Sequence, residues 1–537
     1  MARAAVNSPW RPLHWPIFRA VWTATLVSNL GSTMQNAGAA WLMASLAVSP
    51  IIVTLVQTAG TLPVLLLGLP AGAIADIVDR RRLLLLTQVL MLMAALALGI
   101  TSWVGLMSPL ILLTLTFVMG VGAAMNGPAW QAVVAEIVPS EDLAGAVSLN
   151  SAGFNIARAV GPALAGLVLA RAGAGVVFLL NALSFVGVLV VLYRWHSTRP
   201  RGVLPAERVG GALRAGFRYL AHAPELRVVV LRTVLFAFPA SALWGLLPLV
   251  ASKGIGGTPL TYGLLLGGLG VGALGGAWIL PALKGKVGLE TLVTGGTAGF
   301  ALATLGSATL HHVGLLFLVC VIGGAGWLIL LASLNAATRM RVPQWVEARA
   351  LAFYLLAFQG SLAAGSAAWG AIATVAGLRV ALQLSAGTLI AGIAARFALP
   401  LGDTEVRDLH PAKAWPEPEK ASPIAEEEGP IRVTVEYSVP LRRAWEFREH
   451  MRQLRTLRRR DGAFRWALFV DSAAPTRFIE EFMVESWLEH VRQHERLTIA
   501  DIPVQTALRE LLTNGTNPVV SHHFAVDLGH PKQASPE

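Results

Sequence analysis

Three groups of residues are of a type and spacing that could do chemistry. The first is Gly72-Ala-Ile-Ala-Asp76-Ile-Val-Asp79-Arg80-Arg81-Arg82, carboxylates and guanidiniums crowded beside apolar sequence. Such a cluster suits ion pairing at helix ends; Glu136 is the expected partner of Arg81 and Arg349 that of Asp76. The second is Arg158, alone in an uncharged stretch with Asn155 three residues before it on the same helical face. A lone guanidinium there either meets an anionic substrate or relay, or serves backbone carbonyls. The third is His490 and His494, whose i, i+4 spacing on a helix could hold a metal. No third ligand is evident, although His522-His523 lies nearby in sequence, so solvated helix histidines are expected, with no metal and no cofactor.

Composition dictates the elements that must position these groups. Of 537 residues 55% are hydrophobic and 14% charged, with mean hydropathy +0.61. Soluble domains carry about 25% charged residues, so this is a membrane protein. Net charge is +11. Residues 1–430 hold 27 Lys/Arg against 17 Asp/Glu and residues 431–537 hold 15 against 14. The excess therefore lies with the apolar part, where positive-inside bias and anionic membrane lipid account for it and nucleic acid is not an expected partner. The single cysteine, Cys320, rules out an internal disulfide framework. Met1–Pro16 lacks a compact apolar segment with a small-residue cleavage site, so the first span is expected to be retained.

Apolar runs fall at about 17–46, 51–75, 83–104, 109–137, 143–170 and 175–195, then at 228–251, 259–283, 289–310, 313–338, 348–376 and 378–400. With the N-terminus inside, the inner connections hold 18 Lys/Arg, and the outer ones only Arg171, Lys253 and Arg379. Both termini are thus expected in the cytoplasm. The expected order is a six-helix bundle (1–196), a basic central loop (197–227), a second bundle (228–400), a proline-rich acidic linker (401–430), a cytoplasmic domain (431–528) and a disordered tail (529–537). Within the central loop, Leu213, Phe217 and Leu220 share a helical face suited to the inner leaflet. Alternation predicts strands at Arg432–Tyr437, Phe464–Val470, Phe478–Val484 and Val519–Val526 with helices between, a β-α-β-β-α-β ferredoxin-like order. On the first of those helices Arg448, Arg452, Arg455 and Arg459 form a stripe, either solvated or docked on anionic lipid or inner loops. The fold class expected is an all-α polytopic membrane protein of twelve transmembrane helices in two six-helix halves, plus a C-terminal α+β domain.

Twelve spans in two sixes with a basic central loop resemble the major facilitator superfamily. That superfamily's loop between helices two and three runs Gly-x-x-x-Asp-basic-x-Gly-basic-basic; Gly72, Asp76, Arg80 and Arg81 match, while Ile77 and Asp79 depart. With Asp at the second glycine, the loop is similar to the bacterial branch that includes the enterobactin exporter and macrolide efflux proteins, also called transmembrane secretion effectors. Asn126-Gly-Pro-Ala-Trp130-Gln131 and Asn155-Ile-Ala-Arg158-Ala-Val-Gly161-Pro162-Ala-Leu-Ala-Gly166 look like the same branch. The latter resembles the helix-five antiporter motif, with Ala165 breaking its final glycine pair. The resemblance implies a bacterial inner-membrane exporter of a siderophore-like or lipophilic drug-like small molecule, working by alternating access and coupled to protons. It implies that Gly72, Asp76, Asp79, Arg80, Arg81, Glu136 and Arg349 latch the halves; the plain alternative is a topology anchor. Substrate in such transporters sits near the midplane between the halves. Asn29, Gln35, Asn36, Asn126, Trp130, Gln131, Asn155, Arg158, Trp244, Asn335 and Gln359 would line that cavity, each singly also able to serve as a packing hydrogen bonder. No Asp or Glu lies at mid-depth, so proton coupling rests on the resemblance alone.

The domain at 431–528 resembles antibiotic-biosynthesis monooxygenase domains through Phe478–Val484 and the following Glu485-Ser-Trp487-Leu-Glu-His490. Those domains often dimerise through the sheet, so self-association is a further expectation, whereas catalysis is not carried over. A membrane-anchored enzyme or sensor is the alternative reading, and uptake a third, although twelve spans far exceed what an anchor needs.

Overall fold

The computed structural model describes residues 10–46, 49–195, 209–402, 408–412, 428–513 and 517–525. The chain divides into two compact units, one of Met1–Val209, Val228–Ala336 and Ala352–Thr404, the other of Gly210–Arg227, Ala337–Leu351 and Glu405–Glu537.

The first unit is helical. Its helices are α1 (Pro16–Leu46), α2 (Pro50–Ile77), α3 (Arg80–Trp103), α4 (Pro109–Ile137) and α5 (Leu143–Arg194). After α6 (Val209–His222), which joins the second unit, come α7 (Pro224–Leu249), α8 (Pro259–Lys284), α9 (Leu289–Thr309) and α10 (Val313–Met340). They are followed by α11 (Gln344–Ala376), α12 (Leu378–Ile393) and the short α13 (Ala395–Ala398). Among the described residues nine segments are long and apolar enough to cross a membrane. Helices α1 (31 residues) and α9 (21 residues) are long enough but carry more Ser, Thr, Asn and Gly. The two runs expected at 143–170 and 175–195 are two helices within Leu143–Arg194, labelled α5 together, that meet at Gly173 with φ 79°. That left-handed conformation is open to glycine at little cost, so the chain turns there without a loop. Helix starts follow local rules: Pro50, Pro109 and Pro259 stand in the first turn, where the missing N–H loses nothing, and Ser108 caps α4 by accepting from the Ile111 amide.

The second unit is built on a four-stranded antiparallel sheet of β1 (Ile431–Ser438), β2 (Arg465–Val470), β3 (Arg477–Val484) and β4 (Val519–Phe524) in the order β2-β3-β1-β4. The register sets Val433 opposite Phe482 on one side and His522 on the other. Helices α14 (Ala444–Asp461), α15 (Trp487–Arg496) and α16 (Ile502–Glu510) belong to the same unit. Alternation places Ile431, Val433, Val435 and Tyr437 in its core with Phe447, Met451 and Leu454, the apolar positions of α14.

This unit also contains α6 and the α10–α11 connection. Tyr219 is buried edge-on to Trp345 at 5.6 Å, Arg218 donates to Glu489 at 3.2 Å, and Arg496 lies over the Trp345 ring at 4.4 Å. On the face expected to meet the inner leaflet Phe217 is 66% exposed, Tyr219 is the buried ring of the helix, and the Leu213 side chain lies outside the described residues. Part of the expected linker is also placed, since Ala412 N donates to Leu497 O at 2.8 Å and Ile499 N to His410 O at 3.1 Å. The tail at 529–537 lies outside the described residues.

Candidate functional site

The charged loop after α2 is braced inside the first half. Asp79 caps α3, its carboxylate accepting from Arg82 N at 2.9 Å. Arg80 donates to Glu136 at 2.5 Å, joining the start of α3 to the end of α4. Arg81, expected on Glu136, instead donates to the Leu192 and Tyr193 carbonyls at 3.1 and 2.5 Å and lies over the Tyr193 ring. It thereby closes the C-terminal end of α5, where orphan carbonyls favour a cation. Two braces went unread in the sequence: Trp15 donates to buried Asp142 at 2.9 Å, with Arg11 alongside at 3.3 Å, and Arg232 pairs with Glu290, whose other oxygen accepts from Leu401 N at 3.0 Å. The Asp76 side chain lies outside the described residues, and with it the expected pair with Arg349. A Cβ on Gly72 would meet nothing within 4 Å.

Helix α5 makes close approaches to α1 and α8. A Cβ on Gly161 would lie 2.0 Å from Thr33 Oγ1, and Thr33 in turn donates to the Ala157 carbonyl at 3.0 Å. One on Gly166 would stand 2.9 Å from Gly263 Cα, and one on Gly270 2.3 Å from Ala159 Cα, so α5 and α8 meet backbone to backbone. Pro162 and Ala165 are buried in the same stretch. Helices α2 and α11 close along a parallel seam: Thr374 Oγ1 accepts from Ile51 N at 3.1 Å, and Thr58 donates to Ala363 O at 2.9 Å.

Beside that contact Arg158 is half-buried, its guanidinium 5.9 Å from the centroids of both Phe154 on α5 and Trp244 on α7. Trp244 meets Trp327 edge-on at 5.2 Å, and Trp327 packs on Phe236, Phe300 and Phe358 at 5.2–5.8 Å. The indole N–H groups of Trp244 and Trp327 are buried without hydrogen-bond partners. Seating a central arginine costs ~2.5–3.5 kcal/mol on insertion scales, and two aromatic faces at ~0.5–2 kcal/mol each offset part of it. The guanidinium N–H groups thus stay available to a ligand. Trp327 escaped sequence reasoning because a tryptophan in a Gly-rich apolar run reads as core.

The remaining cavity candidates disperse. Gln35 is buried and accepts from Asn181 at 2.6 Å, a packing bond between α1 and α5. Asn126 accepts from Thr87 and Gln88 at 3.2 and 3.3 Å, and Asn155 donates to Ser151 O of its own helix at 2.9 Å. Trp130 is half-buried and packs against the apolar cores around Leu83 and Phe18. Asn36 and Gln131 are exposed, and Asn29, Asn335 and Gln359 are half-buried.

The sheet unit holds a second, separate site. His490, expected to be solvated, is 2% exposed and shares a 2.9 Å Nε2–Nε2 hydrogen bond with His522. Burial, reinforced by the neighbouring imidazoles of His494 and His522, pushes it down to about 3 and keeps it neutral. Among the described residues no group of three His, Cys, Asp or Glu side chains could hold a metal. Fully buried Glu480 accepts from Tyr437 OH at 2.8 Å, Trp466 Nε1 at 2.9 Å and Arg458 Nε at 3.1 Å. A cavity of about 570 Å³ opens between these groups and α16. Of the expected stripe Arg448, Arg452 and Arg455 are exposed, while Arg459 is half-buried with its Nε enclosed.

Comparison with known proteins adds identity to this geometry. The transmembrane secretion effector family of major facilitator transporters matches residues 7–528. The chain is 25% identical to the Staphyloferrin A transporter of Staphylococcus aureus over 294 residues, 54% of this chain and 73% of that one. It is 26% identical to the multidrug efflux pump Tap of Mycolicibacterium fortuitum, covering 70% and 93% respectively. It is 22% identical to macrolide efflux protein A of Streptococcus pyogenes, covering 49% and 68%. Among solved structures, the nucleoside transporter NupG superposes with TM-score 0.60 at 11% identity over 72% of this chain and all of its own. An inward-facing bacterial homolog of the lysosomal transporter Spinster gives 0.56 at 15%, covering 73% of this chain and 97% of that one.

Proposed function

The chain belongs to the transmembrane secretion effector family of the major facilitator superfamily, and on that premise we propose that it exports a small molecule from the bacterial cytoplasm across the inner membrane by alternating access. The cargo is siderophore-like or lipophilic and drug-like, and the coupling ion is the proton. Counting α5 as two spans about Gly173 and adding α1 and α9 to the apolar segments supports twelve spans in two sixes, and the basic inner connections support cytoplasmic termini. The observation that carries the reading is Arg158, clasped by Phe154 and Trp244 beside two buried, unpartnered indole N–H groups. That arrangement suits a compound with an acceptor or negative charge next to an apolar ring system. The relatives named for efflux and for a siderophore support this cargo class. The test is accumulation of a compound panel in cells lacking other exporters, with and without a proton uncoupler. Expression should lower accumulation of at least one compound and the uncoupler restore it. Raised accumulation would make the chain an importer, and no change across the panel would leave the export reading without support.

The gate proposed here is Asp76 with Arg349, since Asp79, Arg80, Arg81 and Glu136 brace the first half. Asp76→Asn should slow turnover about tenfold, the ~1.4 kcal/mol of one lost conformational preference, with substrate affinity unchanged. A wild-type rate in reconstituted vesicles would reduce the loop to an anchor. The sheet order β2-β3-β1-β4 supports a ferredoxin-like reading of the C-terminal domain, with an accessory role and self-association through its exposed strand edges.

A further inference from the structure

Helices α7, α10 and α11 each have one end in the second unit, which takes in 224–227, 337–340 and 344–351 together with the sheet domain. Only Ala223 separates α6 from α7, and its carbonyl accepts from Arg227 N at 3.1 Å, so α6 is set on the start of α7. Glu489 of α15 joins these segments to the domain. Its Oε1 accepts from Arg218 of α6 at 3.2 Å and from Arg496 at 2.5 Å, and its Oε2 accepts from Arg496 at 3.2 Å. Trp345, in the first turn of α11, lies under the Arg496 guanidinium and meets Tyr219 of α6 edge-on. Arg460, held by Asp461 and Asp501, lies 6.0 Å from the centroid of the same Tyr219 ring. The side chains of Arg218, Glu489 and Arg496 are only 15, 12 and 5% exposed. Surfaces that part and rejoin keep their charges at a hydrated rim, whereas parting this cluster would strand enclosed charges without partners.

We propose that the C-terminal domain is a fixed clasp on its own chain, with Glu489 and Trp345 as positioning residues for transport. They keep the start of α7, the end of α10 and the start of α11 together through the whole cycle. The proposal rests on transport by the membrane helices, and on no choice of cargo, direction or coupling ion. Helix ends held as one unit switch together between two arrangements, whereas ends that move separately populate arrangements that do not transport. Arg158 and Trp244 belong to the other unit, so the clasp acts on turnover and leaves cargo affinity alone.

The test follows hydrogen exchange of the full chain in lipid nanodiscs. Trp345→Ala should speed exchange at least about tenfold in α6 and in 337–351 together, with the sheet amides still protected. Trp345→Phe keeps a ring against Tyr219 and Arg496 and should restore the wild-type rates. Arg218→Ala removes the tie from the α6 side and should loosen the same two segments. Faster exchange confined to the altered segment in both alanine variants, or unchanged exchange in both, overturns the proposal. Transport of erythromycin and of ethidium into inverted membrane vesicles supplies a readout that folding alone would not move. The maximal rate should fall about tenfold in Trp345→Ala at unchanged KM and return in Trp345→Phe. A raised maximal rate would make the domain a releasable brake, and a changed KM would place its effect on cargo; either overturns the clasp. If the wild-type chain moves neither compound, the cargo reading loses those two compounds, and the exchange measurement alone decides the clasp.

Discussion

Replacing Glu480 by Ala is expected to cost the sheet domain about 3–5 kcal/mol, a large part of the ~5–15 kcal/mol that holds a domain together. The carboxylate is fully buried and is the shared acceptor of Arg458, Tyr437 and Trp466. Removing it strands a buried guanidinium and leaves two further donors without their acceptor, each at ~1–3 kcal/mol. The effect is local to the domain and is read as faster exchange of β1 and β3 amides in the full chain. Converting the pair together, Glu480→Leu with Arg458→Met, should recover most of the loss, because the penalty lies in the uncompensated charge. Near-wild-type exchange in the single variant would mean that Arg458 finds solvent or another partner, and the network would be of little structural weight.

That network also marks where sequence reasoning stops. Strand alternation was legible because β1 buries every second residue, and Ile431, Val433, Val435 and Tyr437 stand in the core. The apolar runs were legible because a membrane demands length and composition, not partners. Partner choice was not legible. On α14 the stripe arginines Arg448, Arg452 and Arg455 are exposed and Arg459 half-buried, while Arg458 is held by Glu480 on β3 and Arg460 by its neighbour Asp461 and by Asp501 just before α16. Glu480 and Asp501 lie tens of residues away in sequence, and only the folded topology brings them to the helix. The pairing expected of Arg81 falls to Arg80 for the same reason: adjacent residues at a helix start point about 100° apart, and only one direction leads to Glu136. The break about Gly173 was legible as the gap between the runs at 143–170 and 175–195, although the left-handed backbone that makes it was not. His490 and His494 had the spacing of ligands or of surface. Their burial became visible only when β4 brought His522 against them.

Arg158→Ala is expected to lower transport about 100-fold, the ~3 kcal/mol at the upper end of a charge-assisted hydrogen bond to substrate. The guanidinium lies 5.9 Å from the ring centroids of Phe154 on α5 and Trp244 on α7, so its loss would remove the proposed ligand group and a contact between these helices together. Two further variants separate those roles. Arg158→Lys keeps the charge but gives up the planar fork and most of the stacking, so a substrate held at two acceptor atoms should lose affinity while the apolar contact between these helices largely survives. Trp327→Phe keeps the ring against Trp244 and removes one unpartnered N–H; it should weaken only substrates that offer an acceptor and leave purely apolar ones unaffected. Transport in reconstituted vesicles, with protein abundance checked, measures each. If Arg158→Ala moves the rate and Arg158→Lys restores it for every substrate, the charge alone matters and bidentate recognition is excluded. An unchanged rate and affinity in Arg158→Ala would make the residue a packing element, and the aromatic cluster around Trp327 would have to recognise cargo without it.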